Sequence, residues 1–140
     1  MIRVCLDTNV IVSGLISSSG APFEVLEAWR NREFILLTSD EIIAEVSKVL
    51  EYPKVKKAFL VTDEDIEQFI LHLSKYSQRT PGELKPEVVT EDPSDNMFLA
   101  CAVEGNAGFI VSGDNHLLNL ETYQGIQILA PREFIKQLKS

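Results

Sequence analysis

Carboxylates stand in this chain where buried strands should end. An apolar run from Ile2 to Leu6 stops at Asp7 in "MIRVCLDTNVIVSGL", and a second run, "GFIVSGD", stops at Asp114. Asp95 falls in the first turn of the helix expected in "EDPSDNMFLACAVEG", and Glu45 lies inside the helix expected in "TSDEIIAEVSKVLEY". At about 100° per residue, Glu45 sits roughly 90° from the centre of its helix's apolar stripe, on the border, while Asp40 and Glu51 turn roughly 130–150° away. Each acid alone has an ordinary account. Asp7 could cap a helix, Asp95 could complete a capping box with Asp92, Asp114 could be a turn residue in "SGDN", and Glu45 could be a surface acid. The set asks for more. Carboxylates that face one crevice repel each other and are costly to bury unpaired, and a divalent cation resolves that conflict. Oxygen ligands with no Cys/His cluster favour Mg²⁺ or Mn²⁺ over zinc. Asp7, Glu45, Asp95 and Asp114 are therefore candidate metal ligands and catalytic groups, and the chemistry they suit is metal-assisted hydrolysis of a phosphodiester.

Other chemistries find less support. "SSSGAP" lacks the lysine and the spacing of a phosphate-binding loop, and no G-x-S-x-G elbow is present. His72 falls in a helix and His116 follows the "GDN" turn. Neither has a nucleophile nearby in sequence, so both are expected to be core or surface histidines. Cys5 and Cys101 lie in apolar segments without C-x-x-C spacing and read as reduced core residues. The net charge of −8 counts against non-specific coating of a polyanion. Basic residues do cluster locally: Lys54, Lys56 and Lys57 in "PKVKK", and Arg30 and Arg32 in "WRNR", could contact phosphates or could simply face solvent.

The elements that must position these acids follow from periodicity. At 140 residues the chain is expected to form a single domain over 1–140. Ile2 to Leu6, "FILLTS", "GFIVSGD" and "GIQILA" read as strands. "APFEVLEAWRNRE", with Pro22 near its start, reads as a helix, as does the closing "PREFIKQL". Thr38 and Glu41 have capping-box spacing ahead of the stripe Ile42, Ile43, Val46, Val49 and Leu50. Thr62 and Asp65 repeat it ahead of Ile66, Phe69, Ile70 and Leu73. "RTPGELKPEVV" reads as a loop, with a short extended piece at Val88 to Thr90. Asp92 is the expected N-cap of the helix that opens with Pro93. Strands that are continuously apolar and alternate with helices predict an α/β fold with a mostly parallel sheet covered on both faces. No stretch approaches the roughly 18 apolar residues of a membrane span, and no signal peptide is evident, so a cytoplasmic protein with no membrane partner is expected.

The motifs "CLDTNVIVSGL", Glu45 in its helix, "DPSDNMFLACA" and "FIVSGDNHLL" resemble, in order and spacing, those of the PIN domain. The likeness runs to the final "GIQILAPREFIKQL" and is strongest to the bacterial and archaeal branch that supplies toxins of toxin–antitoxin pairs. It implies a Rossmann-like three-layer α/β/α fold and metal-dependent endoribonuclease activity on single-stranded RNA. It assigns the acidic quartet to Asp7, Glu45, Asp95 and Asp114, with Asn9, Asp92 and Ser112 in support. It also implies self-association and an antitoxin protein whose peptide covers the cleft. His116 stands where many relatives carry a further acid, a change expected to weaken a second metal site. Gly108 stands where an Asp is common. Two other readings remain open at this point. One is a catalytically weak module that binds RNA or protein. The other is a phosphatase with Asp7 as nucleophile, although Asn9 stands where such enzymes need a second Asp.

Overall fold

Four apolar runs become the centre of a six-stranded sheet ordered β3-β2-β1-β4-β6-β5. The structure is a computed structural model and describes residues 1–140, the side chain of Phe59 excepted. In chain order the elements are β1 (Arg3–Leu6), α1 (Thr8–Ile16), α2 (Ala21–Arg30), β2 (Ile35–Thr38), α3 (Asp40–Leu50), α4 (Pro53–Phe59) and α5 (Asp63–Tyr76). There follow β3 (Gln78–Arg79), a 3₁₀ turn (Pro93–Asp95), α6 (Asn96–Glu104), β4 (Phe109–Val111), α7 (Asn115–Leu118), β5 (Thr122–Tyr123), β6 (Ile126–Leu129) and α8 (Pro131–Lys139). All neighbouring strands run parallel except β5, which pairs antiparallel with β6.

Successive strand residues point to opposite faces, so a strand buried at every position must be covered on both sides. Val4, Cys5 and Leu6 of β1 are fully buried, as are Ile110 and Val111 of β4. α6 packs on β1, β2 and β4, while α8 packs on β6 and α2. The apolar residues form one core cluster that includes Ile11, Leu26, Leu36, Ile42, Leu99 and Phe134. Gly14 of α1 lets α2 approach closely, because a Cβ there would lie 2.6 Å from the Pro22 carbonyl oxygen and 3.0 Å from the Leu26 Cβ. Cys5 and Cys101 are free thiols within this core. No helix among the described residues is long and apolar enough to cross a membrane.

The helix ends depart from expectation in instructive ways. Thr62 and Asp65 do form a reciprocal capping box at α5. At α3, however, the cap is Ser39, whose Oγ accepts from the Ile42 amide, and not Thr38. Thr38 is the last residue of β2, and its hydroxyl bonds the Ser77 hydroxyl at 2.7 Å beside β3. Asp92 does not cap either: its Oδ1 accepts from Ser94 Oγ at 2.6 Å, and the Pro93–Asp95 turn comes before α6. Val88 to Thr90 form no strand. The amides of Val88 and Val89 donate instead to Asn96 Oδ1, at 3.2 and 2.9 Å, and Asn96 Nδ2 donates back to Val89 O. Glu104 holds the same segment further along, accepting the amides of Gly82, Glu83 and Leu84 at 2.7–2.9 Å. The loop is thus tied to α6 by one residue at each end of that helix.

Candidate metal centre

Strand register brings the first and last acids together. Leu6 pairs with Val111 across β1 and β4, so the next residues, Asp7 and Ser112, leave the sheet side by side. The Asp7 amide donates to Val111 O at 2.9 Å, extending the ladder by one bond. The Asp7 side chain then faces an N-cap choice. The residue has the extended backbone of a cap but makes no side-chain capping bond. Its Oδ2 accepts from Ser112 Oγ at 2.6 Å, deep in the protein. The same hydroxyl oxygen accepts the Asp114 amide at 2.9 Å. Ser112 therefore locks two acids to one another through a single oxygen. Thr8, next along, is buried with its hydroxyl unpartnered among the described residues.

Asp95 enters from the other side, on the turn ahead of α6. It is only 4% exposed, and its Oδ2 has no hydrogen-bond partner among the described groups. Asp92, Asp95, Asp114 and His116 each offer one ligand atom, and these atoms all lie within 4.8 Å of one another. Asp114 spends one oxygen on its own helix: Oδ1 accepts the His116 amide at 2.8 Å, capping α7. The helix-cap account of Asp114 and a metal-facing role are compatible, because the second oxygen remains.

The electrostatics record the crowding. Burial pushes the Asp95 carboxyl up to about 8. The neighbouring Asp114 carboxylate adds to the rise, followed by the charges of Asp92 and Asp7. Burial also raises Asp7 above the usual carboxylate range. The Ser112 hydroxyl and the amides of Asn9 and Thr8 oppose that rise, while Asp114 adds to it. A buried carboxyl that keeps its proton near neutrality, with a bare oxygen turned toward other acids, is arranged for a cation to replace the proton.

Glu45 stands apart from this group. It is half-buried on α3 and lines a groove of about 580 Å³ between α3, α6 and residues 82–87. Lys48, Leu84, Pro93, Met97 and Cys101 line the same groove, which runs past the turn carrying Asp92 and Asp95. Asn9 is exposed, and its backbone amide, not its side chain, acts on Asp7. Lys54, Lys56 and Lys57 lie on α4, beyond the far end of α3 and so about 16 Å along that helix from its cap. Lys56 pairs with Glu51 and Asp63.

The family model that matches this chain is the PIN domain, over residues 3–116. The chain belongs to the PIN domain family. PIN domains are generally nucleases. A curated relative, the uncharacterized protein MJ1680 of Methanocaldococcus jannaschii, is 28% identical over 149 aligned positions, covering 99% of this chain and 92% of its own length. Among solved structures, VapBC2 from Rickettsia felis, bound to a DNA fragment from their promoter, has a TM-score of 0.59 at 15% identity, covering 91% of this chain and 97% of that one. FitAcB from Neisseria gonorrhoeae has a TM-score of 0.53 at 18% identity, covering 92% of this chain and 98% of that one. These likenesses show a shared fold.

One residue of this PIN domain, Asn96, escaped the sequence reading, and His116 lies nearer the acids than that reading required. His116 is exposed, as expected of a surface histidine, and one of its ring nitrogens also lies within 4.8 Å of the ligand atoms of the acids. Asp114 caps α7 and His116 sits in its first turn, and the D-x-H spacing after β4 was the available signal. Asn96 holds the loop ahead of Asp95 through three backbone bonds, and nothing in the sequence marks it. The Ser112 bridge yields a clear expectation. Ser112→Ala should weaken Mn²⁺ affinity about 10- to 100-fold, the usual cost of losing a partner that orients a ligand. Calorimetric titration of parent and variant measures it, with circular dichroism as the check on folding.

Proposed function

We propose that this PIN domain is a divalent-cation-dependent endoribonuclease that hydrolyses phosphodiester bonds of single-stranded RNA, acting as the toxin of a toxin–antitoxin pair. The observation that carries the reading is Asp95: a buried carboxyl with a bare oxygen, pushed up to about 8 among neighbouring acids. Asp7, Asp92, Asp95 and Asp114 would hold the cation, Mg²⁺ or Mn²⁺, and their oxygen donors suit either ion. When bound, the cation lowers the pKa of a water and offsets charge that develops on the phosphate.

The remaining work falls to the chain itself. Ser112 keeps Asp7 and Asp114 in register before substrate arrives. Asp95 gives up the proton it carries in the empty protein. Glu45, on the groove wall, orients water or helps hold the ion. The groove beside the Asp92–Asp95 turn receives the strand, with Lys48 on its wall for phosphate contact. Lys54, Lys56 and Lys57 would serve a longer RNA beyond the cleft. Fold likeness to VapBC2 and FitAcB supports the toxin role, with an antitoxin protein as partner, self-association of the PIN domain and action in the cytoplasm.

The test is cleavage of a mixed RNA pool with Mn²⁺, with Mg²⁺ and with EDTA, comparing the parent with Asp7→Asn. Cleavage that needs the cation and disappears in a folded Asp7→Asn variant supports the reading. Cleavage that survives in a contaminant-free variant rejects it, and a stable phosphoryl group on Asp7 would point to a phosphatase instead.

A further inference from the structure

We infer that His116 supplies an imidazole nitrogen to the cation and thereby makes this centre select Mn²⁺ over Mg²⁺. The inference rests on the cation site proposed above and concerns what one residue adds to it. Three carboxylates and one imidazole present ligand atoms within 4.8 Å of one another. The cluster alone would say little, but Asp95 is almost wholly buried within it and its Oδ2 finds no partner. That oxygen is open to a further ligand. His116 stands on the open side, with its side chain 43% exposed.

Its backbone is pinned by the bond from its amide to Asp114 Oδ1. Its Nδ1 lies 3.5 Å from that same oxygen, too far for a good hydrogen bond. The ring is therefore near the acids without being committed to one of them. A neutral imidazole adds a donor with no charge, where a further carboxylate would add both. Hard, strongly hydrated Mg²⁺ gains little from nitrogen and keeps oxygen ligands. Mn²⁺ shares the carboxylate preference of Mg²⁺, but as the first ion of the Irving–Williams series it gains from a nitrogen donor where Mg²⁺ does not, though less than the later first-row ions gain. Exchanging nitrogen for oxygen at this place should move the preference between the two ions while leaving the rest of the site intact.

The experiment titrates untagged protein with Mn²⁺ and, separately, Mg²⁺ by calorimetry, for the parent, His116→Gln, His116→Ala and His116→Asp. It also records pulsed electron paramagnetic resonance of the Mn²⁺-loaded parent and His116→Gln forms. The expected results are an Mn²⁺ affinity that falls about tenfold in His116→Gln and His116→Ala, the scale for losing one contributing group, with Mg²⁺ affinity nearly unchanged. In His116→Asp, Mg²⁺ affinity rises and the two ions converge. A nitrogen coupling to Mn²⁺ appears in the parent and is absent in His116→Gln. Equal Mn²⁺ affinities in the parent and the Gln and Ala variants, or no nitrogen coupling in the parent, would overturn the role of His116 while the cation site itself stood. No binding of either ion to the parent would remove the site as well.

Discussion

Asp95→Asn is expected to abolish cation-dependent cleavage while leaving the metal-free protein at least as stable as the parent at pH 8.5. The two halves have one cause. Asp95 sits 4% exposed with an unpartnered Oδ2. Its carboxyl is pushed up to about 8 by burial first and by Asp114 next. At neutral pH the empty protein therefore carries this side chain as a neutral acid. Asn has nearly the same shape and is also neutral, so it fits the apo fold. Above pH 8 the parent must bury a carboxylate that repels Asp114, Asp92 and Asp7, and the variant need not. In the loaded enzyme the balance reverses, because the amide offers the cation no charge. Cleavage should fall on the order of 10³-fold, the upper range for deleting one preorganised electrostatic contact. Gel-based RNA cleavage with Mn²⁺ and thermal denaturation in EDTA, run on one preparation, measure both halves. A variant that unfolds, or one that keeps parental cleavage, would contradict the account.

The second large effect is a pH profile. In EDTA, the parent should lose thermal stability as pH rises from 6.5 to 8.5, by on the order of 5 °C. The sign follows from linkage. In the folded state Asp95 holds its proton up to about 8, against 3.8 for the ordinary value. Between those values the native chain binds a proton that the unfolded chain has lost, so stability falls as pH rises and levels off above about 8. Asp7, also raised, acts in the same direction. His72 acts oppositely: burial and the charge of Arg30 lower its pKa, so its contribution is fully present above the unfolded value of about 6.5 and is lost as pH falls below that value toward the lowered folded one. Working above pH 6.5 separates the two. Added Mn²⁺ should restore stability most at the alkaline end, where no proton competes for Asp95. Asp95→Asn should flatten the profile. Differential scanning fluorimetry across buffers of matched ionic strength is sufficient.

The architecture was legible where burial acts on both faces of an element. Val4 to Leu6 and Ile110 to Val111 are apolar at every position because helices cover the sheet on both sides, and that leaves a continuous signature in sequence. The acids beyond those strands were legible for the same reason, since Asp7 directly after one buried run, and Asp114 three residues after the other, are conspicuous. What failed were choices settled by a distant partner. Thr38 and Ser39 are equally good caps on paper, and Ser77, brought near as β3 joins β2, claims the Thr38 hydroxyl. Val88 and Val89 have strand propensity, yet Asn96 takes the bonds a neighbouring strand would have taken. α4 escaped notice because its "PKVKKAF" is short and mostly charged. Glu45 was placed with some success on the border of its helix, but a helical angle fixes direction and not reach. It therefore could not distinguish the groove wall from the acid cluster itself.

The sheet ends on both sides in strands of only two residues, β3 and β5. So short a margin leaves almost no free ladder on which another chain could grow, which protects the fold against strand-by-strand accretion. Open apolar side chains stand instead on helical surface, where α5 carries Leu71 and Tyr76 outward at 64% and 50% exposure.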